Sequence, residues 1–232
     1  MAGYGGNTLY HNNGDGTFTD VTKRAGVSAG RWSASAGFFV TRYVNWSFRN
    51  NRYCGEQKPG LRAYCHPDNS KGVTNILYHN NGDGTFTDVS AKAGIANPQG
   101  KGLGVSFADF DGDVFTDIFV ANDSVPSFLY HNNGNGTFTE VGLPAGVAYN
   151  EDGKAFAGMG IDFSDFDNDG RPDIVVTDLS NERYHLNGNV SFRDATNPSG
   201  LGGLTFAFSG WSTHLGITTM MAGKISSLRR GM

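Results

Sequence analysis

Fourteen residues recur four times along this chain, and no other feature restricts its fold as tightly. The copies read LYHNNGDGTFTDVT at 9–22, LYHNNGDGTFTDVS at 77–90, LYHNNGNGTFTEVG at 129–142 and a decayed RYHLNGNVSFRDAT at 183–196. Their tyrosines, Tyr10, Tyr78, Tyr130 and Tyr184, are separated by 68, 52 and 54 residues, a period in the range of propeller blades. Each copy predicts a β-hairpin: a short strand, a turn whose glycines and asparagines accept positive φ, then a β-favouring Thr-Phe-Thr strand.

Between successive hairpins lies a second unit, FADFDGDVFTDIFVAND at 107–123 and FSDFDNDGRPDIVVTDL at 163–179. A strand enters, an acidic loop follows and a β-branched strand leaves. The two units together supply four strands per period, the content of one blade, and such a sheet buries its faces only when neighbours stack on it. Helical periodicity is confined to the short stretches Thr22–Gly26 and Ser90–Gly94. The expected fold class is therefore all-β: a partial β-propeller of about three to four four-stranded blades. Glycine, 34 of 232 residues and about twice its usual share, agrees with frequent turns.

The first period departs from the others. It carries an insertion at 45–75 holding Trp46, Tyr53, Cys54, Tyr64, Cys65 and His66. It also lacks eleven residues, the equivalents of Asp109–Phe119, at the Phe39/Val40 junction, so this blade has no acidic loop and is short of one strand's worth of chain. After Trp211-Ser212-Thr213-His214-Leu215-Gly216 another acidic loop is due, yet the chain reads ITTMMAGKISSLRRGM. With codons that the genetic code permits, a one-base shift of frame turns that tail into DYDNDGRKDLFLAEGH. The expected division is a propeller segment at 1–216 and an aberrant, frameshifted tail at 217–232 with no place in the fold.

The strongest chemical signal is DFDNDGRPD at 165–173, with Asp165, Asp167, Asp169 and Asp173 at loop positions 1, 3, 5 and 9 and Gly170 at position 6. Alternate spacing in a tight loop turns carboxylates onto one point. That suits a hard cation of the size of Ca²⁺, which takes six to eight oxygens. The carbonyl of Arg171 at position 7 is the expected further ligand. Without a cation the four charges repel one another, so calcium is structural here first. The loop at 109–117 keeps Asp109, Asp111, Asp113 and Asp117, with the Phe115 carbonyl at position 7, but carries Val114 where glycine is expected. A β-branched residue with positive φ costs on the order of 1–2 kcal/mol, so this loop binds more weakly or adopts a different turn. The two loops hold 8 of the 22 acidic residues, and two Ca²⁺ would bring the formal charge from −4 to zero.

EF-hand and dockerin-like loops also use alternating acids, but they lead into helices, whereas IFVAND and IVVTDL are strand sequences. Asp15 and Asp83 read as turn formers. His11, His79, His131 and His185 recur at the same place in every copy and read as scaffold rather than as a catalytic or zinc centre. The tripeptides at Asn45, Asn122, Asn135 and Asn189 fit the glycosylation acceptor pattern. Glu151 and Asp152 read as a turn, and no paired carboxylates lie in a shared motif outside the acidic loops, so no catalytic residue is assigned. The net charge of −4 argues against a nucleic-acid surface, and no apolar run is long enough to span a membrane. The first six residues lack the pattern of a secretory leader. Two cysteines suit one disulfide, Cys54–Cys65, in an oxidising compartment.

DxDxDGxxD between two strands, followed by a NNGDGTF hairpin, resembles the FG-GAP/VCBS repeat of integrin α-chain propellers. The order RWSASAGFF, NRYCGE, YCHPDN, KGLGV, VANDSVP, EDGKAFAGMG is similar to the ASPIC/UnbV group over about residues 7–216. The resemblance implies an extracytoplasmic, calcium-stabilised propeller of about seven blades, used for adhesion or for recognition of a protein or glycan rather than for catalysis. It places the parent protein outside the cell, in a periplasm or at a cell surface. With some three and a half blades, this chain looks like a fragment whose two unpaired sheet edges favour self-association. Trp46, Tyr53 and Tyr64 are the candidate partner-binding residues; the competing reading is a blade-end plug packing its own aromatics. A part of a polysaccharide-degrading enzyme is the alternative function.

Overall fold

The structure, a computed structural model, describes residues 7–28, 33–36, 38–56, 58, 60–182, 184–188 and 192–213. The first six residues, Asn189 and the 217–232 tail lie outside the described residues. In chain order the strands are β1 (Tyr10–Asn12), β2 (Phe18–Asp20), β3 (Ser33–Ala36), β4 (Phe39–Arg42), β5 (Cys54–Gly55), β6 (Arg62–Ala63), β7 (Ile76–Asn80) and β8 (Phe86–Asp88). There follow β9 (Gly102–Ala108), β10 (Asp117–Asn122), β11 (Phe128–Asn132), β12 (Phe138–Glu140), β13 (Ile161–Ser164), β14 (Asp173–Val176), β15 (His185–Gly188) and β16 (Arg193–Asp194). Single helical turns, α1 (Thr22–Ala25), α2 (Gly142–Ala145) and α3 (Leu201–Thr205), complete the described elements.

These strands build a half-blade, β1-β2, and three antiparallel four-stranded blades: β3-β4-β7-β8, β9-β10-β11-β12 and β13-β14-β15-β16. The chain is thus all-β and a partial propeller. The first strands of successive blades touch, β3 against β9 and β9 against β13, as they do where blades converge on an axis. The hairpin β5-β6 belongs to the insertion, which a 3-10 turn at Pro67–Asn69 closes.

One residue pattern accounts for the outer hairpins. Tyr10 pairs with Asp20, Tyr78 with Asp88 and Tyr130 with Glu140, an identical register in three copies. In the turn, Asp15 Oδ1 accepts from the Thr17 N–H at 2.9 Å and from its hydroxyl at 2.6 Å, and Asp83 and Asn135 do the same for Thr85 and Thr137. These residues are turn formers, as their sequence setting predicts. The fourth copy differs: Asp194 pairs with Asn187, three residues along from Tyr184, the partner the other copies would give it. The intact copies hold left-handed glycines in the turn, Gly16, Gly84 and Gly136 at φ 88, 82 and 83°.

Blades adhere through apolar layers. Phe39, Ile95, Ile118, Val120 and Tyr130 join the first full blade to the second, and Phe119, Leu129, Ile174 and Val176 join the second to the third. Ala25, Val27, Val40 and Ile76 seat the half-blade. Fully burying one such side chain contributes about 1.5–3 kcal/mol. After each intact hairpin the chain turns back through Ala-Gly-Val or Ala-Gly-Ile. Gly94, at φ 81°, lies so close to the next blade that a Cβ there would meet the Phe138 carbonyl at 2.7 Å. The 90–94 segment is a turn, while Thr22–Ala25 is helical. The outer face of the third blade, with Val175 and Leu186, is covered by Leu201 of α3.

One expectation needs correction. The blade lacking the acidic loop keeps four strands; β3 and β4, four residues each, pair directly from Ser33↔Arg42 to Ala36↔Val40. The missing residues come out of the loop and out of strand length, compared with seven and six residues in β9 and β10. Strand number survives because β7 needs a partner for its backbone groups, and Phe39 and Val40 supply it.

Candidate metal centre

The two acidic loops connect β9 to β10 and β13 to β14, and they share one hydrogen-bond frame. Asp109 Oδ1 accepts from the Asp113 N–H at 3.1 Å and Oδ2 from Val114 at 2.9 Å; Asp165 accepts from Asp169 and Gly170 at 3.0 and 2.9 Å. Asp111 and Asp167 each accept from the N–H two residues on, at 3.3 and 3.1 Å. Asp113 and Asp169 hold the N–H groups of Phe115 and Arg171 at 2.8 and 2.9 Å. Each loop needs two left-handed residues, Gly112 and Val114 in one, Asn168 and Gly170 in the other. Val114 takes φ 72° and Gly170 φ 86°, so valine is forced into the turn rather than redirecting it.

The last aspartate of each loop begins a central strand and is fully buried. Asp117 accepts from Phe110 N at 3.0 Å and Asn132 N at 2.8 Å, and Asp173 from Phe166 N at 2.8 Å. Burial pushes the Asp117 carboxyl above the ordinary carboxylate range, against the pull of its two N–H bonds. Carboxylate oxygens of Asp109, Asp111 and Asp117 lie within 4.8 Å of one another, as do those of Asp165, Asp167 and Asp173. Asp113 forms a further such group with Asp111 and His131, and Asp169 joins none among the described residues. An all-oxygen carboxylate set of this kind fits a hard divalent cation. Phe115 and Arg171 are held at their N–H groups by the loop, and both side chains face solvent.

His131 is the residue that the sequence reading undervalued. Facing Asp117 across the β10-β11 pair, it sets Nδ1 3.1 Å from Asp111 Oδ2 and 3.4 Å from Asp117 Oδ1. Strand pairing is the signal that would have found it, because Ile118 opposite Tyr130 puts Asp117 beside His131. His11 and His79 are solvent-exposed. His185, moved by the slipped hairpin, lies opposite Val176 and away from the acidic loop. It is buried between Asp178, 3.3 Å from Nε2, and Asp194, 3.9 Å from Nδ1, with Phe156 stacked 4.0 Å away.

In the insertion, Cys54 and Cys65 form a disulfide. Trp46 is half-buried and packs edge-on against Phe48 at 5.2 Å. Tyr53 donates its hydroxyl to the Glu56 carbonyl at 2.7 Å, and Tyr64 projects wholly into solvent. Lys101, itself buried, reaches Asp68 at 3.1 Å and so ties the insertion to the second full blade. Of the acceptor-pattern asparagines, Asn122 is fully buried and bonded to the Lys101 N–H and the Pro126 carbonyl, which leaves no room for a glycan. Glu151 accepts from Asn197 at 2.8 Å in a surface turn. No helix among the described residues is long and apolar enough to cross a membrane.

Residues 66–120 and 109–176 match the FG-GAP-like repeat family. Over 116 residues the chain is 38% identical to cartilage acidic protein 1 of Mus musculus and to that of Homo sapiens. Over 114 residues it is 32% identical to cartilage acidic protein 1 of Xenopus tropicalis. The alignments cover 48, 48 and 47% of this chain and 17% of each of these relatives.

Proposed function

We propose, on the premise that this chain carries FG-GAP-like repeats and is homologous over nearly half its length to cartilage acidic protein 1, that it is a non-catalytic, calcium-binding propeller module for recognising a protein or glycan outside the cytoplasm. The observation that carries the reading is the frame common to both acidic loops, which gathers three carboxylates at each, one of them fully buried at a strand start. Asp165, Asp167 and Asp173 would hold one ion with the Arg171 carbonyl, and Asp109, Asp111 and Asp117 the second with the Phe115 carbonyl; Asp113 and Asp169 brace the loops. Bound calcium supplies the positive charge that lets these carboxylates stay together. The residues themselves join the innermost strand of a blade to the next one, so their order sets the order of the blade.

The Cys54–Cys65 disulfide supports an oxidising compartment. In this reading the module occupies residues 1–216, with the insertion at 45–75 as its recognition element through Trp46, Tyr53 and Tyr64, and the 217–232 tail is dispensable. Thermal melts with and without chelator, run beside a glycan-cleavage screen, test the proposal. A calcium-dependent rise in Tm with no turnover is expected; turnover of a polysaccharide, or a Tm indifferent to calcium, refutes it.

A further inference from the structure

We propose that one face of the β5-β6 hairpin is a docking surface for a short acidic segment of another protein. The proposal deepens the binding-module reading and rests on it. Cys54 pairs with Ala63 and Gly55 with Arg62, so Tyr53 stands opposite Tyr64, and period-two alternation puts Arg62 on that same face. The Arg62 guanidinium lies over the Tyr53 ring at 5.8 Å and donates to the Arg52 carbonyl at 3.1 Å. Tyr53 is half exposed and Tyr64 fully so. Large apolar side chains grouped in this way on a solvent face mark an interaction site, and Tyr and Arg are the residues that anchor such sites. The disulfide holds the two strands together, so little ordering entropy is lost on binding.

Charge selects the partner. The insertion at 45–75 holds five Lys or Arg against two acids, a net +3, while the rest of the chain holds thirteen against twenty, a net −7. Both acids already have cationic partners, Glu56 with Lys58 at 3.0 Å and Asp68 with Lys101 at 3.1 Å. Arg49, Arg52 and Arg62 form no ion pair among the described residues, and a guanidinium fork fits a carboxylate in two-point contact. A long polyanion would run off this small basic island onto an acidic body within about a Debye length, roughly 8 Å at physiological salt. A few Asp or Glu flanking an apolar side chain match both the charge and the aromatic face.

The test is panning of short random peptides displayed on phage against the calcium-loaded full chain, followed by affinity measurement on the enriched peptides. Enrichment of acidic residues around an apolar one is expected. Arg62→Ala and Tyr64→Ala, both solvent-side changes that leave Tm unaltered, should each weaken binding about tenfold, and Lys92→Ala should not. Enriched peptides without acidic residues, equal binding by all variants, displacement by a heparin oligosaccharide, or concentration-dependent dimerisation lost in Tyr64→Ala would each overturn the docking surface. Calcium titration of the same samples separates the two readings. A calcium response without peptide enrichment sinks this surface alone; no response to calcium sinks the module.

Discussion

His131 Nδ1 lies 3.1 Å from Asp111 Oδ2, so an imidazole carried by the outer hairpin competes with any cation for the 109–117 loop. Among the described residues the 165–173 loop has no such competitor, because the slip of the fourth hairpin has moved His185 elsewhere. Calcium stabilisation should therefore come mainly from the second loop. At free calcium about a hundredfold above Kd, one site adds about 2.7 kcal/mol. Asp167→Ala is expected to remove most of the calcium-dependent Tm rise and Asp111→Ala a smaller part; equal losses would contradict this ranking.

Val114→Gly should stabilise the protein by about 1 kcal/mol, since relief of a left-handed valine outweighs the added chain entropy of glycine. The side chain is 85% exposed, so little burial is lost. Urea unfolding of the two proteins with chelator present measures the gain, and calorimetry should show tighter calcium binding. A destabilised variant would show that the turn carries no strain.

Stability should fall as pH rises through the neutral range. Burial, reinforced by Asp178, pushes Glu182 from 4.5 up to about 7. Burial alone would lower His185, but hydrogen bonds and charge from Asp178 and Asp194 carry it from 6.5 to about 9. Both groups bind protons more tightly in the folded state, so their contributions are whole below the ordinary values and vanish as pH passes the folded ones. A Tm profile from about pH 5 to about pH 9.5 should decline across that window. His185→Gln, which strips the buried Asp178 and the half-buried Asp194 of their cation, should cost about 3 kcal/mol near pH 6 and progressively less in alkali.

Replacing Cys54 and Cys65 by Ser removes a crosslink spanning 11 residues, worth about 3 kcal/mol to the closed loop by chain entropy. The hairpin lies outside the four-stranded sheets, so the loss should appear as faster amide exchange at 53–65 and leave exchange in β10 and β14 unchanged. Equal acceleration in the blades would show that the insertion holds them together.

Much of this molecule was legible in the chain. Asp15 and Asp83 read as turn formers because an aspartate two residues before threonine satisfies its N–H locally, whatever lies beyond. Val114 read as an outlier because loop position 6 demands positive φ, and it has it. The roles of the histidines were not legible. Four copies aligned in sequence place His131 and His185 alike, yet one faces an acidic loop and the other the buried Asp178 and half-buried Asp194. Nor could deletion arithmetic show that the blade missing eleven residues keeps four strands, since a strand persists wherever a neighbour's backbone must be paired.

Local chemistry thus determined the repeating unit, its turns, the all-β class and the carboxylate spacing, because each depends on residues a few positions apart. Tertiary structure decided which side chains meet. A slip of three residues in one hairpin, set by pairing with the neighbouring strand, carried His185 from a loop to a core, and an odd shift moves a side chain to the other face of its sheet. That choice is made by whichever register buries the most apolar surface between blades, a quantity summed over residues far apart in the chain.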